Sequence, residues 1–159
     1  MKNTIEKTNA MRILDQKKIS YNIYTYTNTE AISGMEVATV LSQDPNKVFK
    51  TLVTIGASKI NYVFVIPVNC ELDLKKAAKA VNEKNISMIK SKELLPLTGY
   101  IHGGCSPIGM KKQFKTVFHK TASHFDTIIF SGGKIGYQIE MKLEDLNKLF
   151  KFDITDIIV

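Results

Sequence analysis

Tryptophan is absent from this 159-residue chain, arginine occurs once, and there are only two cysteines, three histidines and four prolines. Each scarcity removes a class of protein. Cys70 and Cys105 lie far apart with no C-x-x-C spacing, so reduced thiols are expected in place of a disulfide framework or a zinc site. Three dispersed histidines give a metal centre little support, and neither a metal nor another cofactor is expected. Arg12 alone cannot provide bidentate reading of bases or phosphates, because lysine acts as a point charge. No run of about 18 apolar residues is present, and Met1 to Asp15 lacks the basic, apolar, small-residue layout of a secretory signal. A cytoplasmic protein with no membrane partner is therefore expected. Walker-type and dinucleotide glycine fingerprints are also missing.

What is present suffices for a core. Hydrophobic residues make up 44% and charged residues 23%, with 8 Phe and 6 Tyr, which excludes a disordered or collagen-like chain. The length and the lack of repeats or linkers predict one domain spanning residues 1–159. Net charge is 22 − 15 = +7, and its distribution is uneven. Between Lys75 and Lys120 ten lysines face only Glu83 and Glu93, a local +8, whereas the rest carries 12 basic and 13 acidic residues. Such a field favours a polyanion held through salt-dependent lysine–phosphate contacts. Lysine used simply as a solubilising residue is the alternative.

The patterning predicts an opening helix over Thr4–Lys18 with Ile5, Ala10, Ile13 and Leu14 inward, then a strand over Tyr21–Tyr26. Ser33 is placed to cap a short helix over Met35–Leu41. Strands Val48–Ile55 and Ile60–Ile66 follow, joined across Gly56–Lys59 as a hairpin. Asp73 caps a helix to Asn82 whose Leu74, Ala77, Ala78 and Val81 face inward, leaving Lys75, Lys76 and Lys79 in solvent. A helical segment over Ser91–Leu97 leads into a loop from Gly99 to Gly109. Apolar runs Thr116–His119, Thr127–Phe130 and Ile135–Met141 precede a helix near Leu143–Phe150 and a final strand, Ile154–Val159. Hairpin neighbours with irregularly inserted helices indicate α+β, not regular βαβ alternation.

Three segments could carry chemistry. Lys50 shares one face of its strand with Val48 and Leu52, and a lysine among core-type residues needs a partner, a bound anion or a route outward. The stretch Gly99-Tyr100-Ile101-His102-Gly103-Gly104-Cys105-Ser106-Pro107-Ile108-Gly109 has adjacent glycines whose N–H groups can converge on an oxyanion. Ser131-Gly132-Gly133-Lys134-Ile135-Gly136 is a second glycine turn; both also read as ordinary hairpin connections. No nucleophile constellation is complete. Cys105 with His102 or His119 as base lacks an orienting third residue, and Ser106 is not on a nucleophile elbow.

Phe49-Lys50-Thr51-Leu52-Val53, the Gly99–Lys112 segment and Ser131-Gly132-Gly133-Lys134-Ile135-Gly136-Tyr137-Gln138-Ile139-Glu140, in that order and spacing, resemble the YbaK/EbsC family. These are free-standing relatives of the editing domain inserted in bacterial prolyl-tRNA synthetase. The resemblance runs from the first helix to the last strand. It implies an α+β fold, a barrel-like mixed β-sheet flanked by helices. It also implies removal of cysteine from mischarged Cys-tRNA(Pro), with Cys-tRNA(Cys) as a further substrate, because a synthetase pocket separates side chains of similar size by only about 1–3 kcal/mol per methylene.

In that family the lysine corresponding to Lys50 is the residue most needed for deacylation. The resemblance further assigns Gly103, Gly104, Ser131 and Gly132 to shaping the pocket, Tyr26 to lining it, and Thr51 and Ser106 to supporting it. The substrate's own thiol attacks its ester, so the protein needs no nucleophile; positioning contributes up to roughly 7–11 kcal/mol at the limit. Lys75, Lys76, Lys79, Lys111 and Lys112 are the lysines assigned to tRNA, and prolyl-tRNA synthetase is the implied protein partner. Ser33-Gly34 stands where relatives commonly carry an aromatic residue, and Gln138 where they carry varied polar residues; both bear on which amino acid fits. Removal of another small residue, such as Ala from Ala-tRNA(Pro), and a non-catalytic module binding tRNA or synthetase are the competing readings.

Overall fold

A computed structural model of the protein describes residues 6–159. The first two helical positions predicted from sequence, Thr4 and Ile5, lie outside the described residues. Helix α1 is Asn9–Gln16, and it begins there because Thr8 caps it: the Thr8 hydroxyl accepts the Met11 N–H at 3.2 Å and donates to the Gly132 carbonyl at 2.6 Å. In order there follow β1 (Asn22–Thr25), α2 (Gly34–Val40), β2 (Phe49–Gly56), β3 (Asn61–Pro67), α3 (Leu74–Ala80), β4 (Ile86–Met88) and α4 (Ser91–Thr98). Then come β5 (Lys115–His119), β6 (Ile128–Ser131), β7 (Tyr137–Met141) and β8 (Phe152–Thr155).

The strands form two sheets. One has the order β1-β7-β6, antiparallel throughout; the other is β4-β2-β3-β5-β8, with β2 antiparallel to both β3 and β4, and β5 parallel to β3 and β8. A parallel bridge, Val48 to Ile129, joins them. The result is the α+β, barrel-like mixed arrangement that the resemblance implied. Phe49, Val53, Val63 and Val65 from one face of β2 and β3 meet Phe130, Ile139, Met141 and the Met11 and Leu14 side chains of α1 in the main core. The reverse face of β3 packs Tyr62, Phe64 and Ile66 against Ala77, Ala78 and Val81 of α3. Burial on both faces is why Tyr62–Ile66 is an unbroken apolar run instead of an alternating one.

Four expectations need correction. The helix near Leu143–Phe150 is a 3₁₀ helix over Leu143–Lys148, whose three-residue turn keeps Leu143 and Leu146 on one buried side. The last strand is Phe152–Thr155, not Ile154–Val159, because β5 supplies partners only from Thr116 to His119; Ile157 is buried as core and Ile158 makes a single bridge to Leu72. Leu74 is exposed, since α3 is covered by the sheet only from Ala77 onward. Strand β4 was not anticipated: three residues are too few to show a period.

The C-terminal segment is fastened by His119, which is 2% exposed. Its Nδ1 accepts the Ile157 N–H at 3.3 Å, while Lys76 binds Asp156 at 3.0 Å and the Ile158 carbonyl at 2.9 Å. Burial lowers the His119 pKa below its ordinary value; Asp156 opposes this, and Lys120, Lys76 and His124 reinforce it. A folded pKa below the unfolded one gives stability that is present above the unfolded value, about 6.5, and is lost as pH falls through that value. The melting temperature should therefore decline between pH 7 and pH 5, and the decline in this window should flatten in His119→Gln. An unchanged slope in that variant would remove His119 as the cause.

Candidate functional site

The cavity originates in the way β2 is paired. Val68 N–H donates to the Val48 carbonyl at 2.8 Å and Gly56 N–H to the Ile60 carbonyl at 2.8 Å. Even-numbered residues of β2 therefore direct their backbone groups to β3, and odd-numbered ones direct theirs to the opposite edge. That edge is shared. At its start Ile129 of β6 donates to Lys47 at 3.1 Å; at its end Ile89 donates to Val53 at 3.4 Å and Ala57 to Asn85 at 3.2 Å. Between β6 and β4 the edge of β2 opens onto a cavity of about 600 Å³, within the range of small-ligand pockets.

Its lining includes the consecutive residues Lys50, Thr51, Leu52 and Val53. Neighbours of opposite parity can line one cavity when it meets the strand edge-on. The other walls are Tyr26 and the Ile32–Met35 segment that leads into α2, the Met88–Ser91 segment with Leu94 of α4, the His102–Gly103 turn with Cys105, and Ser131 and Gln138 of the first sheet. Gly103 has φ +88°, and a Cβ there would stand 2.8 Å from Ile32 Cγ2, so a side chain is excluded on both counts.

Charge in the cavity is one-sided. Among the described residues no carboxylate lines it, whereas Lys50 and Lys90 do. Lys50 is half-buried and enters no ion pair with the described residues. The nearby acid is held behind the wall. Burial raises the pKa of Glu140, but hydrogen bonds from Lys47 at 2.7 Å, Thr127 at 2.5 Å and Tyr24 at 2.5 Å outweigh it, and its carboxyl stays below the usual range. Gln138, two residues before it in β7, exchanges both amide hydrogen bonds with Gln43, at 2.7 and 3.1 Å. Burial pushes the Cys105 thiol up to about 12, so at neutral pH it is a protonated thiol and not an activated nucleophile. His119, the alternative base, belongs to the C-terminal clamp.

Of the residues singled out in the sequence, Lys50, Thr51, Tyr26, Gly103 and Ser131 line the cavity together. Gly104, Gly132 and Ser106 stand behind it. A Cβ on Gly104 would lie 3.1 Å from the Ile135 nitrogen, Gly132 receives the Thr8 hydroxyl, and the buried Ser106 hydroxyl accepts the Ile108 N–H at 3.2 Å. None of Lys75, Lys76, Lys79, Lys111 and Lys112 lines the cavity. Lys75, Lys79, Lys111 and Lys112 are exposed, and Lys76 is engaged by Asp156. Sequence reasoning missed Lys90, the Met88–Ser91 wall and the Gln43–Gln138 pair. The last joins positions 95 apart in the chain and leaves no local signal.

Residues 29–149 match the family model of the aminoacyl-tRNA editing domain. The chain is 46% identical over 157 residues to EbsC of Enterococcus faecalis, which is named as a Cys-tRNA(Pro)/Cys-tRNA(Cys) deacylase; the match covers 98% of this chain and 96% of that one. Among solved structures, a hypothetical protein of 17% identity superposes with a TM-score of 0.84, covering 93% of this chain and 97% of the other. A protein described as a trans-editing enzyme for prolyl tRNA synthetase, 19% identical, superposes with a TM-score of 0.79 over 94% of this chain and 92% of that one. At these identities the two structures establish the fold.

The amide pair behind the cavity gives a direct test of its packing. Gln43→Leu deprives the buried Gln138 amide of its partner and should lower stability by about 1–3 kcal/mol in urea unfolding, whereas the double variant Gln43→Leu/Gln138→Leu should recover part of that loss. Equal stability of the single variant and the parent would show that the pair contributes nothing.

Proposed function

Because the chain belongs to the family of aminoacyl-tRNA editing domains, we propose that it is a trans-editing deacylase that releases cysteine from mischarged Cys-tRNA(Pro) and from Cys-tRNA(Cys). The observation that carries the reading is an unpaired lysine, Lys50, in a cavity with no carboxylate and no activated nucleophile among the described residues. Such a site cannot supply an acyl-enzyme nucleophile, but it can hold a substrate that brings its own.

In cysteinyl-tRNA the thiol lies on the acyl group. Its sulfur gives up a proton and bonds to the ester carbon, the carbonyl pair moves onto oxygen, and collapse breaks the bond to the ribose oxygen. That oxygen leaves with the proton, giving deacylated tRNA and a cyclic thiolactone. The protein's task is to hold the reactive conformer, which accounts for most of what positioning can achieve. Lys50 orients the ester or ribose oxygen and offsets charge as it forms; Tyr26, Thr51, Gly103 and Ser131 enclose the acyl group, with Gly104, Ser106 and Gly132 supporting them. The tRNA body lies across the lysine-rich surface of Lys75, Lys79, Lys111 and Lys112, with Lys76 at its margin. A lysine surface is blind to sequence, so selection of tRNA(Pro) comes from prolyl-tRNA synthetase as a cytosolic partner.

Purified protein should release cysteine from Cys-tRNA(Pro), and Lys50→Ala should lose at least about 100-fold in rate, in line with general catalytic-group deletions, while melting as the parent does. Ser-tRNA(Pro), isosteric but with a poorer nucleophile, should be cleaved far more slowly. Full activity in Lys50→Ala removes the lysine from the mechanism, and faster cleavage of alanyl than cysteinyl ester replaces the thiol route with activation of water.

A further inference from the structure

Backbone N–H and C=O groups are strong hydrogen-bonding groups, and those within a protein are almost always paired. Along the outward edge of β2 the pairing is interrupted between Ile129 and Ile89. Lys47 and Val53 have their carbonyls taken by Ile129 and Ile89, and the Val48–Ile129 bridge is not continued by a second one. By the alternation established above, the backbone N–H and C=O of Thr51 face the notch between β6 and β4. The Thr51 hydroxyl is likewise buried with no partner among the described residues. Thr51 lies within the notch, which Ile129 bounds at one end and Ile89 at the other.

In the hydrogen-bonded pair of an antiparallel ladder, two residues exchange both N–H···O bonds. An α-aminoacyl ester carries the same two groups on one Cα: an ammonium that donates and a carbonyl oxygen that accepts. Resting on the editing function proposed above, we propose that Thr51 reads the aminoacyl group as a one-residue strand, its N–H donating to the ester carbonyl oxygen and its carbonyl accepting from the α-ammonium. This bridge is indifferent to the side chain. It presents the Thr51 N–H to the oxygen that becomes negative when the carbonyl is attacked, where a fixed donor is most effective. An acylated α-nitrogen carries one N–H and no charge, so this bridge is weaker for a peptidyl or N-acyl ester. The α-amino group, the ester and the free N-terminal end of the acyl chain thus become the recognised features, and the amino acid is left to the cavity walls and to the thiol.

The test uses 3′-cysteinylamino-3′-deoxyadenosine, a non-cleavable analogue of the charged terminus, with the whole protein. At saturation it should slow hydrogen exchange of the Thr51 amide at least tenfold, and the 3-mercaptopropionyl analogue, which lacks the ammonium, should bind at least tenfold more weakly. In turnover, an ester in place of the Lys50–Thr51 amide deletes that N–H while keeping every side chain. Cleavage of Cys-tRNA(Pro) should fall at least tenfold without loss of the cooperative melt. N-acetyl-Cys-tRNA should resist the unaltered protein. Unchanged exchange at Thr51 on saturation, equal binding of the two analogues, or full activity of the ester-linked variant overturns the proposal. A parent protein that cleaves no aminoacyl ester would sink the editing function instead, and the exchange and binding measurements would still decide the bridge.

Discussion

The constraint on which the site depends is the sharing of one strand edge. Strand β2 gives its whole inner edge to β3 but divides its outer edge between β6 at the start and β4 at the end. Two neighbours on one edge must part somewhere, and the cavity lies where they do. The parting is fixed from the other sheet. Beyond Ser131, β6 turns back on β7 with Gly132 N–H bonded to the Tyr137 carbonyl at 2.9 Å, and the Gly132 carbonyl is taken by the Thr8 hydroxyl that also caps α1. Gly132 is thereby held to β7 and to the cap of α1, where β6 ends. The first helix, remote from the cavity in sequence, thus helps to fix the end of β6 beside it.

The electrostatic arrangement follows the same economy of placement. A carboxylate in the notch would neutralise Lys50, and Glu140, two residues beyond the lining Gln138, does not line it and is saturated by Lys47, Tyr24 and Thr127. Its neighbour of like parity in β7, Gln138, faces the cavity as a neutral amide whose hydrogen bonds are already committed to Gln43. A buried ammonium without a counter-ion is costly; Lys50 avoids most of that cost because the cavity is open to water until a ligand enters. What remains is a positive hollow with no activated nucleophile among the described residues, suited to the phosphate-rich end of a nucleic acid and unsuited to acyl-enzyme chemistry.

Much of this was legible in the chain because it depended on parity and local chemistry. The displacement of Lys50 from the Phe49–Val53 core face is a period-two fact, and the Ser33 and Asp73 caps are read from residues within three positions. Gly103 announces close approach by its type. The fork is of a different kind. Which edge of a strand is covered, and for how far, is set by partners as distant as Met88 for Thr54 and Ile129 for Val48, and β4 is too short to show itself. Gln43 and Gln138 carry no mark of each other, and the 3₁₀ helix over Leu143–Lys148 differs from an α-helix in spacing only by fractions of a residue per turn. Motif resemblance located the residues of the site, whereas the open backbone edge required the pairing pattern.

Most of the lysine surplus lies outside the cavity, Lys90 being the member that lines it, and the division has a physical consequence. Lys75 and Lys79 project from α3, which packs on the face of β3 opposite the main core, while Lys50 and Lys90 belong to the notch. Charges on the outer surface act at a distance of about a Debye length and raise the encounter rate with any polyanion without choosing among them. Choice must then occur in the notch, where contacts are short and desolvated. A backbone edge and a neutral amide discriminate weakly between small side chains, so a site built from them would cleave several esters slowly if it depended on recognition alone. Making the reaction depend on a group that the cysteinyl residue itself carries transfers specificity from shape to reactivity, and it is consistent with a cavity that has no activated nucleophile among the described residues.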